Sequence, residues 1–331
     1  MELVCPAGSY QSLKAAIQNG ADSVYIGFQD DTNARHFSGL NFNDTKIKDA
    51  VHYAQDNNTK IMVAINTYAQ AAHWPRWQAA IDRAATLKVD AVIAADIAVL
   101  DYASKKWPEL NLHLSVQGSA TNHEALQFYK KHFNIKRAVL PRVLSLAQVR
   151  ALSKTSPVEL EVFGFGSLCI MAEGRCHLSS YVTGESPNMC GVCSPASAVS
   201  WSEKNGILES RLSDIVIDRY QKNENAGYPT LCKGRFSVAG EIQHVLEEPT
   251  SLNTLDILPE LHDIGISAIK IEGRQRSPAY VKQVTQVWRA AIDSYQTAPA
   301  SYSVAESWNK CLMSLSEGSQ TTLGAYSRPW Q

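Results

Sequence analysis

Short apolar runs alternate with longer amphipathic stretches along most of the chain, and that rhythm predicts strands followed by helices. Residues 3–5 (Leu-Val-Cys) read as a first strand. Leu13, Ala16 and Ile17 then place an apolar stripe on a helix over 10–19, capped by Ser9 and ended by Gly20. The pair recurs. Strands are predicted over 23–26, 61–65, 91–94, 112–116, 137–140 and 160–163, with helices over 44–57, 75–87, 97–106, 123–133 and 145–152. Between about 166 and 250 the rhythm lapses into Gly, Ser, Pro and Cys, with weak strand patterns over 206–217 and 236–245. It returns as a helix over 255–263, an eighth strand over 268–271 and a Ser277-capped helix over 278–296.

Eight strand–helix units, with strands apolar on both faces, predict a parallel sheet closed into a (β/α)8, TIM-barrel-like fold of the α/β class. The organisation expected is seven strands in 1–165, a cysteine-rich insertion in 166–250, barrel completion in 251–297 and a loosely packed tail in 298–331. An open doubly wound sheet is the competing architecture. Its dinucleotide-binding version lacks support, because no G-x-G-x-x-G follows the first strand. Sites in the barrel fold gather at the C-terminal ends of strands. Cys5, Arg35, Asn66, Asp96, Gln117, Arg142, Glu161 and Glu272 lie at or just beyond the predicted ends, so they are expected on one rim.

Composition narrows the picture little. The 331 residues are 45% hydrophobic and 19% charged, ordinary for a soluble globular protein, and the net charge of −1 offers no long-range attraction for DNA or RNA. No basic-then-apolar leader opens the chain and no run approaches about eighteen apolar residues, so a cytoplasmic protein without a membrane span is expected. Seven cysteines, an odd number, in a reducing compartment argue against a disulfide framework.

The chemistry lies in those thiols. Cys169 and Cys176 follow the seventh strand on a glycine-punctuated loop, and Cys193 and Cys232 sit among turn formers further on. The spacing C-x6-C-x16-C-x38-C lacks the tight pairs of ferredoxins and zinc ribbons. An iron–sulfur site, a structural zinc site and reduced buried thiols all remain open on spacing alone. Cys190 adds a C-x-x-C with Cys193, as an alternative ligand or a redox pair.

Glu161-x-Phe163-x-x-Gly166-Ser167-Leu168-Cys169-x4-Gly174-x-Cys176-x-Leu178-Ser179 resembles the signature of the collagenase-like peptidase family. Leu3-Val4-Cys5-Pro6-Ala7-Gly8 and Lys270-Ile271-Glu272-Gly273-Arg274 agree with it. Asn33-Ala34-Arg35, Asn41-Phe42 and the run from Tyr228 to Arg235 are similar to its ubiquinone-biosynthesis branch. That resemblance implies a 4Fe-4S cluster on Cys169, Cys176, Cys193 and Cys232. It implies an oxygen-independent hydroxylation of ubiquinone precursors, with a homologous UbiV-like partner in a heterodimer and prephenate as the hydroxyl source. An isoprenoid substrate would arrive through an apolar patch or a lipid-binding accessory protein, and Trp74, Trp77 and Trp107 are candidates for such a patch, although aromatics on helices more often serve packing.

Arg35, Arg142, Arg175 and Arg274 follow strands and are expected to converge, paired guanidinium forks being suited to a dicarboxylate. Arg35, Arg142, Glu161 and Glu272 are the candidate catalytic residues, the two carboxylates as general acids or bases or as orienters of the arginines. His177, beside Cys176, is a candidate donor to the cluster. No G-x-S-x-G, H-E-x-x-H or Cys-His-Asn arrangement is visible, so proteolysis is not expected. The rival readings are a scaffold or electron-transfer subunit without its own pocket, and an RNA-hydroxylating enzyme.

Overall fold

The computed structural model describes residues 1–37, 39–169, 176–185, 187 and 192–328. Eight parallel strands run β1 (Glu2–Pro6), β2 (Ser23–Gly27), β3 (Lys60–Ile65), β4 (Ala91–Ala94), β5 (Leu112–Leu114), β6 (Arg137–Val139), β7 (Glu159–Ser167) and, much later, β14 (Ala268–Ile271). Each pairs with the next, and β14 pairs with both β1 and β7, which closes the barrel. Helices α1 (Tyr10–Gln18), α2 (Asp44–Asp56), α3 (Trp74–Thr86), α4 (Ile97–Lys106), α5 (His123–Phe133) and α6 (Leu146–Ser153) fill the crossovers. Side-chain caps from Ser9, Asn43, Asp96, Asn122 and Ser145 start five of these six helices.

The uniformly apolar strands serve two cores. Leu3, Val24, Ile26, Ile61, Val63, Val92, Leu114, Val162 and Ile269 face outward and pack against the helices. Val4, Tyr25, Met62, Ala91, Ile93 and Ala268 face inward and fill the barrel. Trp77 is wholly buried in the outer layer, Trp74 packs edge-on against Tyr102, and the Trp107 indole donates to Asp82. These tryptophans are packing residues rather than an exposed lipid patch.

The insertion carries a three-stranded antiparallel sheet of β8 (Val199–Lys204), β9 (Ile207–Leu212) and β10 (Ile215–Tyr220), and a hairpin of β11 (Arg235–Val238) and β12 (Glu241–His244). Helix α7 (His177–Thr183) precedes them. β13 (Ser251–Asn253), absent from the sequence-based assignment, pairs antiparallel with the far end of β7. That pairing is why β7 runs on to Ser167 instead of breaking at Gly164. α8 (Leu258–Asp263) leads into β14, and α9 (Pro278–Thr297) packs beside α1. Residues 298–328 are not a loose tail: α10 (Glu306–Leu315) buries Leu312, and β15 (Thr321–Thr322) adds to β13. Among the described residues, no helix is long and apolar enough to cross a membrane.

The N-terminal half of the barrel interior is ionic. Arg137 bonds Glu2 at 2.8 Å, Glu159 at 2.7 Å and Glu161 at 3.3 Å, while Lys270 bonds Glu161 at 2.8 Å. Burial alone would raise the Glu2 carboxyl. Hydrogen bonding and charge from Arg137, helped by Ser23 and Lys60, outweigh it and hold the group at about 2. A depressed carboxyl stabilises the fold above its unfolded value and loses that contribution as pH falls toward the folded one. Stability is therefore expected to drop by about 3 kcal/mol as pH falls from about 4.5 to about 2. Urea midpoints measured across that range should slope downward, and Glu2→Gln should flatten the slope. Gly166 has φ +132°, and a Cβ there would stand 2.5 Å from the Glu272 Cβ. Gly166→Ala should cost about 1–3 kcal/mol in the same assay.

Candidate functional site

The C-terminal mouth of the barrel is a pocket of about 660 Å³ including its opening. Arg35, Arg142, Lys270 and Arg274 contribute cations to its wall, against one carboxylate among the described residues, Glu272. Tyr25, Asn66, Ser115, Gln117 and Phe163 line the remainder with smaller apolar residues.

Local structure explains why the arginines point there. Asn33, wholly buried in the loop after β2, donates to the carbonyl of Phe28 at 2.6 Å. Its Oδ1 accepts from the Arg35 backbone N–H and from Arg274 Nη1, each at 3.1 Å. Asn66 accepts from the Ala34 N–H at 3.0 Å, and Asn41 donates to the Arg35 carbonyl at 2.8 Å. Asn66 and Arg274 from outside the loop, with Asn33 and Asn41 within it, thus hold the segment whose Arg35 guanidinium stands 3.8 Å from Glu272. Arg142 lies over the Phe163 ring at 3.5 Å. Arg274 runs above Gly27, where a Cβ would meet its Nη1 at 2.4 Å, so only glycine leaves it room. Burial pulls the Arg274 guanidinium down to about 10, an environment that rewards an incoming anion.

Three of the four predicted catalytic residues stand together: Arg35, Arg142 and Glu272 line the pocket. Glu161 does not. It is wholly buried as the third residue of β7, near the N-terminal end of the strand rather than its rim end, and is locked to Lys270 and Arg137. Sequence reading missed Tyr25 and Lys270. A lone charge inside the apolar run Ala-Ile-Lys-Ile was the available signal, since a lysine there must face a partner inside the barrel.

The insertion folds beside the same mouth. The Cys176 sulfur caps α7, accepting from the Ser179 N–H at 3.4 Å, and the Ser179 hydroxyl in turn donates to the Cys193 carbonyl. Tyr228 exchanges hydrogen bonds with the Ser194 backbone at 2.9 and 3.0 Å and meets Phe37 edge-on, tying the insertion to the β2 loop. Cys232 lies on a short turn that packs against α7, and its carbonyl accepts from the Glu247 N–H. Lys233 pairs with Glu317, which also accepts from the Ser167 hydroxyl.

Cys176 and Cys232 each interact electrostatically with Cys193, and Cys169 and Cys193 both do so with Arg35. Burial raises Cys193 and Cys232, with Arg35 and Lys233 acting in the opposite sense. Thiols of the insertion therefore share the surroundings of one cationic pocket, and thiolates are the donors that an iron–sulfur group takes. Among the described residues, no three Cys, His, Asp or Glu side chains stand close enough to grip one metal ion. His177 is exposed. Cys5 is wholly buried against Thr285, away from this group. Cys190 and Arg175 lie outside the described residues.

Comparison with known proteins matches residues 8–328 to peptidase family U32. An uncharacterized protease of Methanocaldococcus jannaschii is 32% identical over 89% of this chain and 65% of its own length. The tRNA hydroxylation protein P1 of Bacillus subtilis is 29% identical over 93% and 66%. The 23S rRNA 5-hydroxycytidine C2501 synthase of Escherichia coli is 29% identical over 89% and 39%. The chain thus spans less than two thirds of the length of these curated relatives. With its match running over nearly every residue, the chain belongs to peptidase family U32.

Proposed function

We propose that this chain is the iron–sulfur subunit of an oxygen-independent hydroxylase acting on ubiquinone precursors. Cys169, Cys176, Cys193 and Cys232 would hold a 4Fe-4S cluster, which when bound supplies one-electron chemistry beside the barrel mouth. The observation that carries this reading is the placement of Arg35, within electrostatic reach of Cys169 and Cys193 and lining the pocket next to Glu272. The name of a hydroxylation protein on relatives of this family supports the reaction class. The Asn33-Ala34-Arg35 and Tyr228–Arg235 runs, similar to the ubiquinone biosynthesis protein UbiU, support the substrate and a UbiV partner.

This chain's own residues would do the following. Arg35, Arg142 and Arg274 bind a carboxylate-bearing hydroxyl donor such as prephenate, and Glu272 orients Arg35. Tyr25, Ile93 and Phe163 provide an apolar wall that limits water around it. A pocket of its own favours a working subunit over a scaffold.

A second reading, hydroxylation of RNA, is favoured by the names of two relatives. The net charge of −1 gives it no electrostatic footprint. Filter binding to transfer or ribosomal RNA at low salt separates the two: tight, salt-sensitive binding would sink the quinone reading.

Protein purified without oxygen should be brown and contain iron and sulfide in equal amounts. Serine at any one of positions 169, 176, 193 or 232 should abolish the colour, and a colourless wild-type preparation would refute the cluster. Arg142→Met should keep the iron while lowering precursor hydroxylation by about 100-fold, the loss of roughly 3 kcal/mol of charge-assisted binding.

A further inference from the structure

The pocket ends on a buried nucleophile that the proposed hydroxylation leaves unused. Lys270 projects from β14 into the barrel, is only 5% exposed, and lines the floor beneath the three arginines. Its Nζ sits 2.8 Å from Glu161 Oε1 and 3.8 Å from the centre of the Tyr25 ring.

A purely structural ion pair would need none of this placement. Glu161 already has a second cation, Arg137, at 3.3 Å, so its charge is met from the N-terminal side. The lysine instead reaches the pocket at the barrel mouth, where Ala64 and Ile93 complete an apolar floor. Burial lowers the hold of the ammonium on its proton.

We propose that Lys270 forms an imine with an anionic oxo acid, a carboxylate that also carries an aldehyde or ketone. The rim guanidinium groups take the carboxylate, and the carbonyl carbon then faces Nζ. Glu161 removes one proton from the ammonium, and the freed nitrogen pair attacks the carbonyl carbon as the C=O π pair moves to oxygen. The oxygen takes that proton from Glu161 and becomes a hydroxyl. Glu161 next takes a second proton from nitrogen and passes it to the hydroxyl, which leaves as water. The nitrogen pair closes the C=N bond, giving a protonated imine and a restored carboxylate. Lysine plus carbonyl give iminium plus water, and no oxidant or reductant is consumed. The inference rests on reading the mouth as the ligand site, and it requires neither the cluster nor hydroxylation.

The whole protein is incubated with pyruvate, reduced with cyanoborohydride, digested and mapped by mass spectrometry. One reduced adduct on the peptide containing Lys270 is expected. Acetone, which lacks the carboxylate, should give at least about tenfold less, the cost of one charge-assisted contact. Lys270→Arg should lose the adduct; the wild-type map decides the matter even where that variant fails to fold. Labelling that follows lysine exposure and spares Lys270 overturns the imine. Succinate, which has no carbonyl, is run as a thermal-shift ligand alongside. If succinate raises the melting temperature while pyruvate leaves no adduct, the imine alone is wrong. If neither binds, the reading of the mouth as an anion site falls with it.

Discussion

The pairing of β14 with β7 is the constraint on which the rest depends. It closes the barrel, and it shifts register between Lys270 and Ile271 as β7 continues through Gly164 and Gly166. The shift lets Glu272 settle against the Cα of Gly166, a contact that any Cβ would block. Lys270 consequently faces the floor and Glu272 the mouth, and Cys169 follows the end of β7 by two residues.

The interior of this barrel is divided by polarity along its axis. At the N-terminal half, three carboxylates and two cations compensate one another: Glu2, Glu159 and Glu161 with Arg137 and Lys270. His113, pushed to about 4 by burial, is neutral among them at physiological pH. At the C-terminal half Arg35, Arg142 and Arg274 line the mouth, and Glu272 is the carboxylate among the described lining residues. Arg274, 4% exposed and bonded to the neutral Asn33 amide, is a buried cation, so the mouth favours an anion. Lys270 stands where the two halves meet.

The cysteine insertion is attached to this mouth by specific polar contacts. Tyr228 holds it to the β2 loop, and Glu317, from the C-terminal segment, joins Lys233 to the end of β7. Residues separated by as many as 191 positions, Phe37 and Tyr228, therefore meet, and Arg35 belongs to both the loop that shapes the pocket and the surroundings of the thiols.

Local patterning was enough for the eight barrel strands and their helices, because a strand covered on both faces must be apolar throughout and a covering helix must carry a stripe. It also marked Arg35, Arg142 and Arg274, which line the mouth. Pattern failed wherever a polar residue was stabilised by something distant. Glu161 looked like a rim carboxylate until Lys270, 109 positions away, and Arg137 took it into the floor. The Thr321–Thr322 strand and the burial of Leu312 turned an expected tail into part of the structure, through contacts that two threonines cannot announce. Periodicity and turn chemistry are local properties, so the amino-acid order by itself determined which segments are strands, which are helices and where they punctuate. Which charges compensate each other and which are left facing a cavity is a matter of distance, and only the closed barrel set those distances.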